Sequence, residues 1–152
     1  MIKIIAVGTI KDKHLDALIK DYEKRINSYH KIQIIEVKDE PITSDERMVK
    51  EREGRRVYEK IGSDEYVILL DLHGQMTDSI SLSNKIDKLF VHHSKLTFVI
   101  GGSLGLADCL VERSNERIKL SDLTFTHQMT RLILLEQIYR CFKILNHETY
   151  HK

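Results

Sequence analysis

The sequence is poor in residues that staple or break a fold. Of 152 residues, two are cysteine and one is proline. Cys109 and Cys141 lie far apart in helix-like stretches. That spacing fits neither a zinc motif nor a Cys-x-x-Cys redox pair. Both are expected to be buried thiols in a reducing cytoplasm, and no metal site is expected. No apolar run approaches the ~20 residues that a membrane span needs. The apolar stretch from Met1 to Gly8 is too short for a signal peptide. A soluble, cytoplasmic protein with no membrane partner is the expectation. Neither sign of charge dominates: 24 Lys and Arg face 23 Asp and Glu, a net +1. That is a poor match for a protein that coats nucleic acid non-specifically, although it leaves room for a local basic patch. There is no G-x-G-x-x-G and no G-x-x-x-x-G-K-[ST], so a dinucleotide or triphosphate site has little motif support. Repeats, linkers and low-complexity tracts are also missing.

What is present suits one compact domain over residues 1–152, with 41% hydrophobic and 31% charged residues. Four runs are rich in Ile, Val or Leu and bounded by turn residues: 2–7, 32–37, 66–72 and 96–100. The last two are apolar on both faces, as central strands of a parallel sheet are. Between them, Leu15, Leu18, Ile19, Tyr22, Ile26 and Tyr29 repeat at helical spacing. Leu82, Ile86, Leu89 and Phe90 do the same behind the capping candidates Asp78 and Ser79. A third helix is expected after Gly105, with Ala107, Leu110 and Val111 on one side. A fourth runs from about Met129 to Leu145, with Leu132, Ile133, Leu135, Ile138, Tyr139 and Phe142. The alternation predicts an α/β fold, a mostly parallel sheet with helices on both faces. Residues 44–60 read as a further helix, dense in mixed charge and therefore mostly a solvated face, with RNA or partner contact as the other reading.

Three segments stand out as places for chemistry. The run 98–105 is a buried strand ending in Gly101-Gly102-Ser103-Leu104-Gly105 before a helix. Glycines let a backbone approach a ligand closely, and ligands of open α/β sheets bind at the carboxyl ends of strands. A tight turn without ligand fits the same residues. Leu70-Asp71-Leu72-His73-Gly74 is a second strand end closing on glycine. If the two strands are neighbours, both loops open on one edge. The third segment, Leu120 to Gln128, is neither helix-periodic nor alternating, yet it holds Leu123 and Phe125; an apolar irregular loop is suited to line a pocket. The C-terminus adds His147, Tyr150, His151 and Lys152 in a locally basic stretch. Each such histidine alone reads as a surface or capping residue; a tail of this kind either frays or covers a site.

Taken together, six stretches resemble a known family. They are Ala6-Val7-Gly8, Tyr22-Glu23-Lys24-Arg25, Val99 to Gly105, Leu123-Thr124-Phe125-Thr126-His127-Gln128, Glu136-Gln137-Ile138-Tyr139-Arg140 and Tyr150-His151-Lys152. In this order and spacing the chain is similar to the ribosomal RNA large-subunit methyltransferase H family. These are small bacterial SPOUT-class enzymes that methylate N3 of a pseudouridine in 23S rRNA. The resemblance covers essentially the whole chain. It implies a C-terminal trefoil knot, a homodimer, S-adenosyl-L-methionine as cofactor and the ribosome as partner. The donor pocket it implies is built from Leu70, Gly101, Leu120, Ser121, Asp122, Leu123, Thr124 and Phe125. It points to Arg140, Tyr150 and His151 as RNA-binding or catalytic positions. His151 and His127 are the two candidates for the base. One departure is Thr126, where similar proteins usually have proline; a less rigid loop is expected. Two other functions fit parts of the sequence: a nucleotide-binding or phosphate-handling module using the glycine turn, and a non-enzymatic dimer that binds ribosomal particles.

Overall fold

The computed structural model describes all 152 residues. Five strands alternate with five helices: β1 (Ile2–Val7), α1 (Lys13–Asn27), β2 (Ile32–Val37), α2 (Glu46–Tyr58), β3 (Tyr66–Met76), α3 (Ser79–His92), β4 (Leu96–Ile100), α4 (Asp108–Arg113), β5 (Glu116–Lys119) and α5 (His127–Leu145). The strands form one sheet in the order β2-β1-β4-β3-β5, and every pair is parallel.

Both faces of the sheet are covered, as the apolar runs require. Along β1, Ile2, Ile4 and Ala6 face one core, and Ile5 and Val7 face the other. The strand's period of two forces this split. On the first face lie α1, α3 and α5, through residues such as Ile26, Ile86 and Ile138. On the second lie α2 and α4, through Val57 and Leu110. Local chemistry starts three of the helices, and at α3 the cap is the Asp78 that the sequence offered. Asp12, Asp45 and Asp78 each accept a hydrogen bond from a first-turn N–H, satisfying donors the helix leaves unpaired.

Some expectations need correction. Leu18 is half exposed, so the inward stripe of α1 is Ile19 and Ile26, with Leu15 and Tyr22 partly buried beside them and Tyr29 just beyond the helix. The charged helix α2 is not simply a solvated face: it buries Val49, Glu53, Gly54 and Val57. Strand β3 runs beyond Leu72 to Met76. Ile118 pairs with Leu70 and again with Gln75, so residues 71–74 bulge from the ladder. The edge strand β5 was absent from the sequence reading because three of its four residues are charged and only Ile118 is buried. Cys141 is buried, but Cys109 is exposed, because it lies on α4 beside Asp108 rather than on the face that carries Leu110. The tail does not fray up to Tyr150, whose ring packs edge-on against Tyr139 at 5.0 Å.

Candidate active site

All five strands point the same way, so their carboxyl ends and the loops that follow share one edge of the sheet. β3 and β4 are direct neighbours, which brings the loop after Leu70 beside the glycine turn. The segment after β5 crosses the same edge. Together these three segments line much of an open cavity of about 1130 Å³. Leu70, Gly101, Leu120, Ser121, Leu123, Thr124 and Phe125 all line it, and so does His127. Asp122 does not line the cavity; its carboxylate pairs with Lys119 Nζ at 2.6 Å.

The cavity offers two kinds of surface. Leu70, Leu72, Ile100, Leu123 and Phe125 present apolar side chains. Leu123 and Phe125 are exposed although large and apolar. Beside them, residues 120–125 form no backbone–backbone hydrogen bond; of their main-chain groups, Leu123 N–H is tied locally, donating to Ser121 Oγ at 3.0 Å. A stretch of unpaired main-chain donors and acceptors next to apolar side chains suits a planar heterocycle, with its faces packed and its edge read by amides. The glycine turn is closed by Gly105 N–H donating to the Gly102 carbonyl at 3.0 Å.

Gly102 is held from behind by a residue that the sequence reading passed over. A Cβ at Gly102 would lie 2.6 Å from Glu53 Oε2 and 3.1 Å from Val7 Cγ1, so a side chain there would displace the Glu53 carboxylate. Glu53 is buried; its Oε1 accepts from Glu40 N–H at 3.0 Å and its Oε2 has no partner. Burial pushes this carboxyl above its ordinary value, against the opposing pull of the Glu40 N–H. Arg131 was likewise missed. It is fully buried at the start of α5, pairs with Glu36 and donates to the Gly8 carbonyl at 3.0 Å. Gly8 also lies against the His127 ring, so Arg131 ties the end of β1 to the pocket end of α5. An arginine within an otherwise apolar helical stretch is the only sequence signal for it, and its partner Glu36 is remote in the chain.

Arg140, Tyr150 and His151 do not line the cavity. They form a second cluster, where the C-terminal tail meets α5. Arg140 Nη2 donates to Glu136 Oε1 at 2.5 Å, its guanidinium lies 4.8 Å from the Tyr150 ring centroid, and its Nη1 is 3.4 Å from His151 Nδ1. Thirteen helical positions separate His127 from Arg140, about 20 Å at ~1.5 Å per residue. The two groups of predicted residues are therefore well built but apart within one chain.

Comparison with known proteins gives the same direction. A family model described as "Predicted SPOUT methyltransferase" matches residues 1–151. Proteins named ribosomal RNA large subunit methyltransferase H are similar over 99% of both chains. They include those of Enterococcus faecalis at 48% identity, Listeria monocytogenes at 47% and Bacillus pumilus at 46%. A match over nearly the whole length leaves one conclusion: the chain belongs to the SPOUT methyltransferase family.

Proposed function

We propose that the protein transfers a methyl group from S-adenosyl-L-methionine to N3 of a pseudouridine in 23S ribosomal RNA, as a cytoplasmic homodimer of a single domain acting on the assembled ribosome. The observation that carries this reading is the cavity where the three segments meet, with apolar side chains beside the unpaired main chain of 120–125. These residues fit an adenosyl group: Leu70, Leu123 and Phe125 pack on the base, and the amides of 120–125 read its edge. Thr126 caps α5 through its side chain, accepting from Met129 N–H at 3.2 Å. Its φ of −61° is one that proline also adopts.

The donor supplies a methyl already activated on a sulfonium. Alignment of nucleophile, methyl carbon and sulfur is then the main task of the protein. As the N–C bond forms and the C–S bond breaks, the N3 proton leaves to a base. His127, at the pocket, and His151, in the tail cluster, are the candidates. Arg140 stabilises the developing N3 anion or holds phosphate.

The separation of the two clusters supports a site shared between subunits, with the Arg140 cluster of one copy completing the pocket of the other. Apolar side chains left outside both cores support a second copy at this edge. Leu72, Met76, Leu123 and Met129 are exposed, and Ile133 and Ile144 on α5 belong to neither core. The proposed trefoil knot is supported by the path of the chain. Residues 120–126 cross from the edge strand β5 to the end of β1, past the loops leaving β3 and β4. A crystallographic trace in which they pass outside the 71–78 loop would contradict the knot. The net charge of +1 favours a whole ribosome, where shape adds to phosphate contact. Equal activity on bare rRNA fragments would refute that part.

Thermal shift tests the donor assignment. S-adenosyl-L-methionine or its demethylated product should raise the melting temperature, by about 2.7 kcal/mol of added stability at a hundredfold excess over Kd. Nucleoside triphosphates should not. The reverse result would favour a nucleotide-binding module, and silence to both a non-enzymatic ribosome-binding dimer.

A further inference from the structure

We propose that Glu136 is a positioning residue of the methyl-transfer reaction, one that fixes the guanidinium of Arg140 and the phenol of Tyr150 and leaves a single edge of Arg140 for the RNA. The inference rests on the reading that Arg140 and Tyr150 meet the RNA substrate.

Glu136 and Arg140 stand four residues apart on the side of α5 away from the core, where side chains at that spacing meet. An isolated helical pair of this kind contributes only ~0.3–0.5 kcal/mol, but this carboxylate receives four donors. Oε1 accepts from Arg140 Nη2 at 2.5 Å, from Arg140 Nε at 3.1 Å and from the Tyr150 hydroxyl at 3.2 Å. Oε2 accepts from Gln137 Nε2 at 2.6 Å. Gln137 is itself fixed, because its Oε1 accepts from the Ser79 hydroxyl at the start of α3, also at 2.6 Å.

The Nε–Nη2 edge of Arg140 is thus consumed, and the guanidinium is clamped edge-on by Glu136 and face-on by Tyr150. Only Nη1 is turned outward, toward His151. A guanidinium offers five donors in a rigid fork, so occupying one edge decides which direction the remaining donors face. Burial, a hydrogen bond with Tyr22 and the Glu136 charge together raise the phenol of Tyr150. It stays a protonated donor. Glu136 touches neither the donor cavity nor, in this arrangement, the reacting atoms; it acts through Arg140 and Tyr150.

The test uses full-length protein, intact ribosomes and S-adenosyl-L-methionine, with three variants: Glu136→Gln, Arg140→Ala and the double mutant. Single-turnover methyl transfer, calorimetric affinity for the demethylated donor and thermal melting are read for each. Glu136→Gln keeps the shape and removes the charge. Its transfer rate should fall on the order of 10²-fold, the loss expected when a catalytic group is misplaced by about 1 Å. Donor affinity should stay within about twofold, since a transition-state contact is removed and not a ground-state one. The double mutant should be no slower than Arg140→Ala alone, because two residues acting as one unit are not additive. A wild-type rate in Glu136→Gln, or additive losses in the double mutant, would overturn the proposal while leaving the donor pocket intact. A wild-type rate in Arg140→Ala would remove Arg140 from the reaction and Glu136 with it. Failure of the wild-type protein to bind the demethylated donor would instead overturn the pocket assignment.

Discussion

Lys3 lies among buried isoleucines of β1, yet its side chain is paired. Its ammonium donates to Glu65 Oε1 and to the Lys60 carbonyl, each at 2.6 Å, and Glu65 Oε2 accepts from the Thr97 hydroxyl at 2.7 Å. Burial works to raise the Glu65 carboxyl, but the hydrogen bonds from Lys3 and Thr97 outweigh it and hold the group below its ordinary value. A carboxyl depressed in the fold binds protons less readily there than in the unfolded chain. Its contribution is present above the unfolded value of about 4.3 and is lost as pH falls through the folded one. Urea unfolding followed from pH 7 to acid should show Glu65→Gln with a flatter acid slope. At pH 7 that variant should lose about 3–5 kcal/mol, because it leaves a buried cation without its anion. A loss under about 1 kcal/mol would show that the pair is better solvated than this geometry implies. Residues of this kind were not legible in the sequence. Lys3 and Glu65 are 62 positions apart, and Arg131 and Glu36 are 95 apart. Each reads as an ordinary charge until the sheet brings its partner beside it. Leu70, Gly101, Leu123 and Phe125 were legible because turn chemistry and irregular apolar patterning are local properties.

Elements were read well where one period dominated and poorly where charge masked it. Helices α1, α3 and α5 declared themselves by spacing. α2 was read as a helix, but its buried face was not, because that face is only Val49, Glu53, Gly54 and Val57. Its role depends on Gly54, which lets α2 approach the start of α4: a Cβ there would lie 2.4 Å from the Ala107 Cβ. Two effects compete in Gly54→Ala. Helix propensity favours alanine by about 0.8–1 kcal/mol, whereas forcing an extra carbon into packed contact costs typically ~1–3 kcal/mol. The contact is between a Cβ and an atom with no rotamer to yield, so overpacking should win. Denaturant melts should show net destabilisation of about 1 kcal/mol or more. Because Ala107 directly follows the glycine turn, donor affinity should fall as well. Increased stability would mean that the two helices separate freely. β5 was illegible for the opposite reason: a short, charged edge strand carries no alternation until β3 pairs with it.

At the scale of the molecule, α/β class, helices on both faces and the cavity at the carboxyl edge all followed from patterning. The order β2-β1-β4-β3-β5 did not, since nothing local says that β4 inserts between β1 and β3. Nor does patterning reach the proposed sharing of a site between two copies. Subunit mixing tests that arrangement. Take one variant defective in the pocket, Gly102→Leu, where the side chain meets Glu53, and one defective in the tail cluster, Arg140→Ala. Each alone should be inactive. Mixed dimers, formed by exchange, should regain activity, because one of their two sites then has an intact pocket and an intact tail cluster. No recovery after verified exchange would place both parts of the site in the same chain.

The most direct measurement is a crystal structure of the protein with S-adenosyl-L-methionine. The adenine is expected between Leu70 and residues 120–125, hydrogen-bonded to their main chain, with the sulfonium near Gly101 to Gly105. Density for the donor elsewhere on the molecule, or an empty cavity under saturating donor, would contradict the account.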